Sequence, residues 1–83
     1  MEYRKNLVEM EQGEEGVVVE IQGGFGLYRR LDAMGITEGA KLRKISNAFL
    51  QGPVTVQIGS ARLALGFGMS QRVILEVNAE VPG

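Results

Sequence analysis

The sequence predicts a small, mainly β domain with one short helix, in which a five-stranded sheet curls into a partly open barrel. Five apolar stretches of strand length alternate with glycine-containing turns, whereas one segment, between Gly24 and Gly35, has helical spacing. Eighty-three residues allow one small domain. Strands this short and this few do not make a two-layer sandwich, but a curled sheet buries one face of each. The predicted strands are residues 17–21, 41–45, 54–58, 61–65 and 73–77.

The helix is predicted from an apolar face and a glycine exit. Leu27, Leu31 and Met34 recur at i, i+4 and i+7, which places them on one side of a helix. Gly35 stands where helices favour a left-handed residue that a Cβ would penalise. With Gly35 there, Leu31 and Ile36 become the hydrophobic pair of a Schellman ending. We expect the inner face of this helix to cover an open end or a seam of the barrel.

The clearest strand pair is a hairpin. Residues 54–58 and 61–65 alternate in polarity and are joined by Gly59-Ser60, a two-residue connection typical of tight hairpins. In strand 41–45, Leu42 and Ile45 have opposite parity, which predicts either a bulge or cover on both faces. The residues expected to face inward are Val17, Val19, Ile21, Leu27, Leu31, Met34, Ile36, Leu42, Val54, Val56, Ile58, Ala61, Leu63, Leu65, Val73 and Leu75.

The remaining segments carry weaker patterns. Residues 1–15 are polar and predict a solvated turn, with Leu7 and Met10 set against the core. Residues 66–72 predict a single helical turn that places Phe67 and Met69 at the end of the barrel. The barrel core is expected to span residues 5–77, and residues 78–83 are expected to fray. A core this thin leaves room for added stability from docking or weak homo-oligomerisation.

Composition argues against several classes of function. The chain has no cysteine and no histidine, which removes thiolate ligands, the commonest general base and the commonest transition-metal ligand. We therefore predict no catalytic site, no cofactor and no dedicated metal site. The carboxylates of Glu9, Glu11, Glu14 and Glu15 are most simply a solvated acidic turn, although a weak site for a hard cation stays an alternative.

Charge and hydropathy bear on partners and location. Nine basic and ten acidic residues give a net charge of −1, whereas phosphate binding usually requires a basic excess. No apolar run approaches the roughly 18 residues that a membrane span requires, and the charged start is unlike a secretory signal. We predict a cytoplasmic protein, and a small barrel that binds nucleic acid remains the runner-up.

Four motifs in a fixed order give the chain a family resemblance. Each is weak alone, but together they cover about residues 5–77 and resemble the FeoA domain. They read Gly-x-Val-x-x-Ile at 16–21, Arg-Arg-Leu-x-x-Met-Gly-Ile-x-x-Gly at 29–39, Gly-Pro-Val-x-Val at 52–56 and Leu-Ala-Leu-Gly at 63–66. The resemblance implies an SH3-like barrel and a small cytosolic accessory protein of ferrous iron uptake. It also implies docking on the cytoplasmic part of the FeoB transporter, and an association with transition metal ions.

Exposed apolar and basic side chains are the candidates for partner binding. Phe49 and Leu50 lie in the loop before Gly52-Pro53, and Tyr28, Arg29 and Arg30 fall on the outer side of the predicted helix. Phe67 is a further candidate for an apolar contact, and Lys41, Arg43 and Lys44 are expected to extend a basic patch from the two arginines.

Overall fold

The computed structural model describes residues 2–47 and 49–78. Its six strands form one antiparallel sheet, in the order β1-β6-β2-β3-β4-β5. No ladder among the described residues joins β1 to β5, so the barrel is open along that seam. The elements are β1 (Glu2–Asn6), β2 (Glu15–Ile21), α1 (Phe25–Ala33), β3 (Lys41–Ser46), β4 (Val54–Ile58), β5 (Ala61–Leu65), α2 (Phe67–Gln71) and β6 (Val73–Asn78).

The mainly β architecture is confirmed, but the prediction of five strands was wrong by one. β1 lies in the segment expected to be a solvated turn, and it pairs along its length with β6. Its sequence, Glu-Tyr-Arg-Lys-Asn, has no apolar alternation, and Tyr3 and Arg4 are both exposed. Backbone pairing to β6, which a local pattern does not reveal, makes this segment a strand. Leu7 and Met10 follow it and are buried, as predicted.

Two bulges set which residues face the core. In β2 the register against β6 shifts between Val18 and Glu20, so Val19 is the extra residue. Val18 is therefore buried, while Val17, predicted to face inward, is 40% exposed. In β3 the register shifts between Lys44 and Ser46, which agrees with a bulge, one of the two alternatives predicted from the parity of its apolar residues.

The core otherwise follows the predicted set, with four changes. Val19 occupies the bulge, Ala61 is exposed, and Val18 and Val77 are buried without having been predicted. The fully buried hydrophobic residues are Leu7, Met10, Val18, Leu31, Ile36, Leu42, Val54, Val56, Leu65, Val73, Leu75 and Val77. Partly buried residues packed against them include Ile21, Leu27, Met34, Ile58, Leu63 and Met69.

The C-terminal end of α1 has the structure that Gly35 predicts. The chain leaves α1 through Gly35, at φ 85°, whose N–H donates to the Asp32 carbonyl at 2.9 Å. The Ile36 N–H donates to the Leu31 carbonyl, also at 2.9 Å, and this pair of bonds is the Schellman motif. Leu31 and Ile36 are both fully buried, so the cap fastens the helix to the core. At the other end, a Cβ on Gly23 would lie 2.8 Å from Cδ2 of Leu27.

Substituting the exit glycine tests that cap. We expect Gly35→Ala to lower the free energy of unfolding by about 1 kcal/mol, because the cost of a left-handed alanine is conformational. Nothing lies within 4 Å of a Cβ built on Gly35 or on Gly68 of α2, but only Gly35 has a positive φ. Gly68→Ala is therefore the matched control, and it should leave stability unchanged or raise it. Urea unfolding of both variants measures the difference, and equal destabilisation would contradict the assigned cap.

Lys44 is a buried cation that the sequence did not reveal. It lies on β3 with 1% of its surface exposed, on the same face as Leu42. Its Nζ donates to the carbonyl oxygens of Val8 at 2.9 Å and Met10 at 2.6 Å. Burial lowers the pKa of this ammonium group, and the nearby charge of Glu14 raises it in opposition. Lys44 thereby ties the loop between β1 and β2 to the inner face of the sheet.

Ser70 connects the two sides of the open seam. It is fully buried in α2, and its Oγ donates to the Leu65 carbonyl at the end of β5 at 3.3 Å. Its own carbonyl accepts from the Leu7 N–H, directly after β1, at 3.1 Å. The predicted helical turn is thus confirmed, and it bridges the ends of the two edge strands.

The ends of the chain complete the description. β6 extends to Asn78, one residue into the segment predicted to fray, and residues 79–83 of that segment lie outside the described residues. Within the described part of the chain, no helix combines the length and the apolar character needed to cross a bilayer.

Candidate docking surface

The outer side of α1 displays two aromatic and two basic residues. We call Phe25, Tyr28, Arg29 and Arg30 the basic–aromatic face; all four are exposed, Phe25 by 74% and Tyr28 by 39%. Cζ of Arg29 lies 5.8 Å from the centroid of the Phe25 ring, within cation–π range. Residues one helical turn apart share a side, so the helix holds this guanidinium against the ring.

A shallow depression runs beside the two arginines. It encloses about 380 Å³ and is lined by Arg29, Arg30, Gly26 and Ala33. Neither guanidinium makes an ion pair with any residue in the described segments. The face therefore carries uncompensated positive charge.

A second exposed group lies in the loop between β3 and β4. Phe49 is 80% exposed and Leu50 is 85% exposed, and we call this pair the apolar loop tip. Leu50 and Gln51 both have left-handed backbone, with φ of 51° and 59°. The turn is closed by the Gly52 N–H, which donates to the Phe49 carbonyl at 2.9 Å. A Cβ on Gly52 would lie 2.9 Å from that oxygen, so this close approach requires glycine.

The predicted site residues thus fall into two groups. Tyr28, Arg29 and Arg30 share α1, and Phe49 and Leu50 share a loop, with all five exposed. No hydrogen bond, ion pair or ring contact within the described ranges joins the two groups. The remaining aromatic candidate, Phe67, is only half-buried and belongs to α2.

The predicted basic patch does not form. Lys44 is buried, and Lys41 and Arg43 both pair with Glu15 across the β2–β3 ladder. The hydrogen bond from Arg43, together with the Lys41 ammonium, lowers the pKa of the Glu15 carboxyl. Sequence proximity suggested one patch, but strand alternation separates Lys44 from its neighbours and cross-strand pairing neutralises the other two.

The acidic run of the first loop is dispersed in the same way. Glu9 accepts from the Asn6 N–H, Glu14 pairs with Lys5 at 3.2 Å, and Glu15 pairs with the basic residues of β3. Among the described residues, no three carboxylate, imidazole or thiolate side chains converge on a point that would hold a metal ion.

An open cleft of about 700 Å³ is lined by Gly13, Glu14, Glu15, Gly16, Val17, Lys41 and Glu76. Without cysteine or histidine, the chain offers a transition metal only carboxylate, amide, thioether and backbone carbonyl donors.

Comparisons with known proteins identify the family of this chain. A family model described as the FeoA domain matches residues 5–77. A Methanocaldococcus jannaschii protein named "Putative Fe(2+) transport protein A" is 37% identical over 73 residues, or 88% of this chain and 85% of that one. A crystal structure of an iron uptake regulatory protein, FeoA, superposes with a TM-score of 0.82 at 34% identity, covering 88% of this chain and 96% of that chain.

The description of a second solved structure names its architecture. The FeoA of Stenotrophomonas maltophilia, solved in complex with zinc and described as a procaryotic SH3 domain protein, superposes with a TM-score of 0.72. It is 27% identical, and the match covers 84% of this chain and 87% of that one. The family-model match over residues 5–77 and the relative at 37% identity agree on one assignment. The chain belongs to the FeoA domain family.

Proposed function

We propose that this protein is a cytosolic accessory protein of ferrous iron uptake, which docks on the cytoplasmic part of a FeoB-type membrane transporter and modulates it. In this proposal the protein reaches the membrane only through its partner and has no catalytic role of its own. Ferrous iron is the cargo of the transporter, and the FeoA-family chain acts on the protein that carries it. Membership of the family supports the process, and the exposed surface supports the mode of action.

The apolar loop tip is the observation that carries the proposal. Two large apolar side chains stand in water at 80% and 85% exposure, where they add nothing to the core. Leu50 and Gln51 also hold left-handed backbone, which costs on the order of 1 kcal/mol or more for each residue other than glycine. A turn that is costly to fold and displays Phe49 and Leu50 outward is explained by burial against a partner.

The basic–aromatic face supplies a second contact of complementary chemistry. Arg29 is already held over Phe25, so less side-chain entropy is lost when it binds a carboxylate. Arg30 has no ion-pair partner among the described residues. An acidic surface on the transporter matches this face, and its charge would favour rapid encounter.

Substitutions in both groups test the docking surface. Phe49→Asp, Leu50→Asn and Arg30→Glu should each weaken binding to the purified cytoplasmic domain of the transporter about tenfold or more, which corresponds to about 1.4 kcal/mol. Leu50→Asn is the sharpest variant, because asparagine tolerates the left-handed backbone and should leave the fold as stable or more stable. Binding can be measured by isothermal titration calorimetry.

Arg4→Glu is the control, because Arg4 is an exposed arginine on β1 outside both groups. Wild-type affinity in all three docking variants, with normal folding, would overturn the proposed surface.

A titration with RNA or DNA tests the runner-up function, since micromolar and steeply salt-dependent binding would indicate a nucleic-acid module. A stabilising shift of the melting temperature by Fe²⁺ alone would instead indicate direct metal binding.

A further inference from the structure

β5 is an unprotected edge of the sheet. Among the described residues its only ladder partner is β4, so its other side has no strand beside it. Edge strands are commonly protected by charge, proline or bulges. The opposite edge, β1, follows this rule with Arg4 and Lys5. In contrast, β5 has no bulge, no proline and a single charged residue, Arg62, and its Ala61 and Ala64 are small and exposed.

The hairpin register identifies the backbone groups on that edge. Ile58 and Ala61 flank the two-residue turn, so they form the hydrogen-bonded pair that closes it. Such pairs alternate with non-hydrogen-bonded pairs along an antiparallel ladder. Arg62 and Ala64 are therefore opposite β4 in non-hydrogen-bonded pairs. Their N–H and C=O groups point away from β4, toward the open side.

This edge is complementary to itself. Two copies of β5 can lie antiparallel about a twofold axis that passes beside Leu63. Arg62 of each copy then exchanges backbone hydrogen bonds with Ala64 of the other, because both residues present outward groups. Leu63, which is half-buried in one copy, lies directly opposite Leu63 of the second copy.

Charge disfavours a register centred on Arg62 and presents little barrier to a second copy as the occupant. Centring the axis on Arg62 would place two arginines directly opposite each other, which is unfavourable. Centring it on Leu63 places each arginine opposite an alanine. The chain has a net charge of only −1, so repulsion between two copies is weak.

We infer that β5 is a self-association edge, through which two copies of this chain join their six-stranded sheets into one continuous sheet. The isologous contact uses backbone groups of Arg62 and Ala64 and the apolar contact of Leu63 with itself. This interface is separate from the apolar loop tip and the basic–aromatic face. It therefore stands independently of the proposed docking on a transporter.

Cysteine cross-linking tests the register, because the natural chain contains no cysteine. Leu63→Cys should form a disulfide-linked dimer under mild oxidation, since non-hydrogen-bonded partners have Cα atoms about 4.5 Å apart, within disulfide range. Arg62→Cys and Ala64→Cys place like residues diagonally, about 7–8 Å apart, and should cross-link about tenfold more slowly. Equal rates for the three variants would overturn the proposed pairing.

A proline on the edge tests the association in solution. Ala64→Pro removes an N–H that is not used by β4, so it should abolish the concentration-dependent rise in mass seen by light scattering while keeping the circular dichroism spectrum. Ala64→Val keeps that N–H and should dimerise like the wild type. A wild-type chain that stays monomeric at millimolar concentration overturns the inference. If Ala64→Pro then weakens binding to the transporter domain, the edge receives a strand of that partner instead.

Discussion

Lys44→Met will lower the free energy of unfolding by about 2–3 kcal/mol, because it leaves two carbonyl oxygens without their donor. The methionine stem keeps most of the volume of the lysine side chain, so little cavity forms. In the wild type, however, the carbonyls of Val8 and Met10 accept hydrogen bonds from Nζ of Lys44 at 2.9 and 2.6 Å, and methionine has no donor to replace it. The variant no longer buries an ammonium charge, and the desolvation cost it avoids offsets part of the free energy lost with the two hydrogen bonds. For a domain of this size the melting temperature should fall by roughly 10–15 °C.

Lys41→Met is the matched control for this change. Lys41 lies on the same strand, but its side chain is 71% exposed and its ion pair with Glu15 is on the surface. Removing such a pair should cost less than about 1 kcal/mol. Urea unfolding at neutral pH, followed by circular dichroism, compares the two variants. A Lys44→Met variant as stable as Lys41→Met would show that the buried charge costs as much as its two hydrogen bonds contribute.

The same lysine predicts a pH dependence of stability. Burial lowers the pKa of Lys44 below its ordinary value of 10.5, which applies to the unfolded chain. Between the two values the unfolded state binds more protons, so raising the pH toward 10.5 increases the stability of the wild type. Lys44→Met lacks this group, so the stability difference between the two proteins should widen over that interval. A pH-independent difference would contradict the lowered pKa.

Features fixed by local chemistry were predictable from the sequence. The Schellman ending of α1 follows from the spacing of Leu31, Gly35 and Ile36, which lie within six consecutive residues. The β4–β5 hairpin likewise follows from alternation on both sides of Gly59, whose φ is 57°. The exposure of the apolar loop tip could also be predicted, because turn residues flank Phe49 and Leu50.

Features that depend on distant partners were not predictable. β1 is a strand because it pairs with β6, and the sequence of β1 itself does not predict that pairing. The bulge at Val19 changes which residues of β2 face the core, so that Val18 is buried in place of Val17. A run of three valines gives no sign of where such a bulge lies. The burial of Lys44 could be predicted in part, since Lys44 and Leu42 are two residues apart on one strand and therefore lie on the same face. The carbonyls that make its burial tolerable come from a loop more than thirty residues away.

The candidate site shows the same division. Helical spacing correctly placed Arg29 and Arg30 on the outer side of α1. The extended basic patch failed because Glu15, on a neighbouring strand, pairs with two of its predicted members. Charge counting along the chain does not distinguish an unpaired arginine from one neutralised across a sheet. The structure thus narrows the basic candidates to the two arginines of α1.

Leu31→Ala is expected to be the most destabilising single truncation of α1, at about 3 kcal/mol. Leu31 is fully buried and contacts the core beside Ile36, the other member of the helix cap. Truncating a buried leucine costs its transfer free energy and leaves a cavity beneath the helix. Leu27→Ala is the matched control, because Leu27 lies on the same face but is only partly buried, and it should cost about 1 kcal/mol. Urea unfolding measures both values.

The Leu31 variant also links the core to the docking surface. Its side chain holds the inner face of the helix whose outer face carries Arg29 and Arg30. If that attachment positions the arginines, Leu31→Ala should weaken binding to the transporter domain at temperatures where the variant is still folded. Leu27→Ala should change the affinity less. An unchanged affinity in folded Leu31→Ala would mean that docking depends on the apolar loop tip, whose position does not rest on α1.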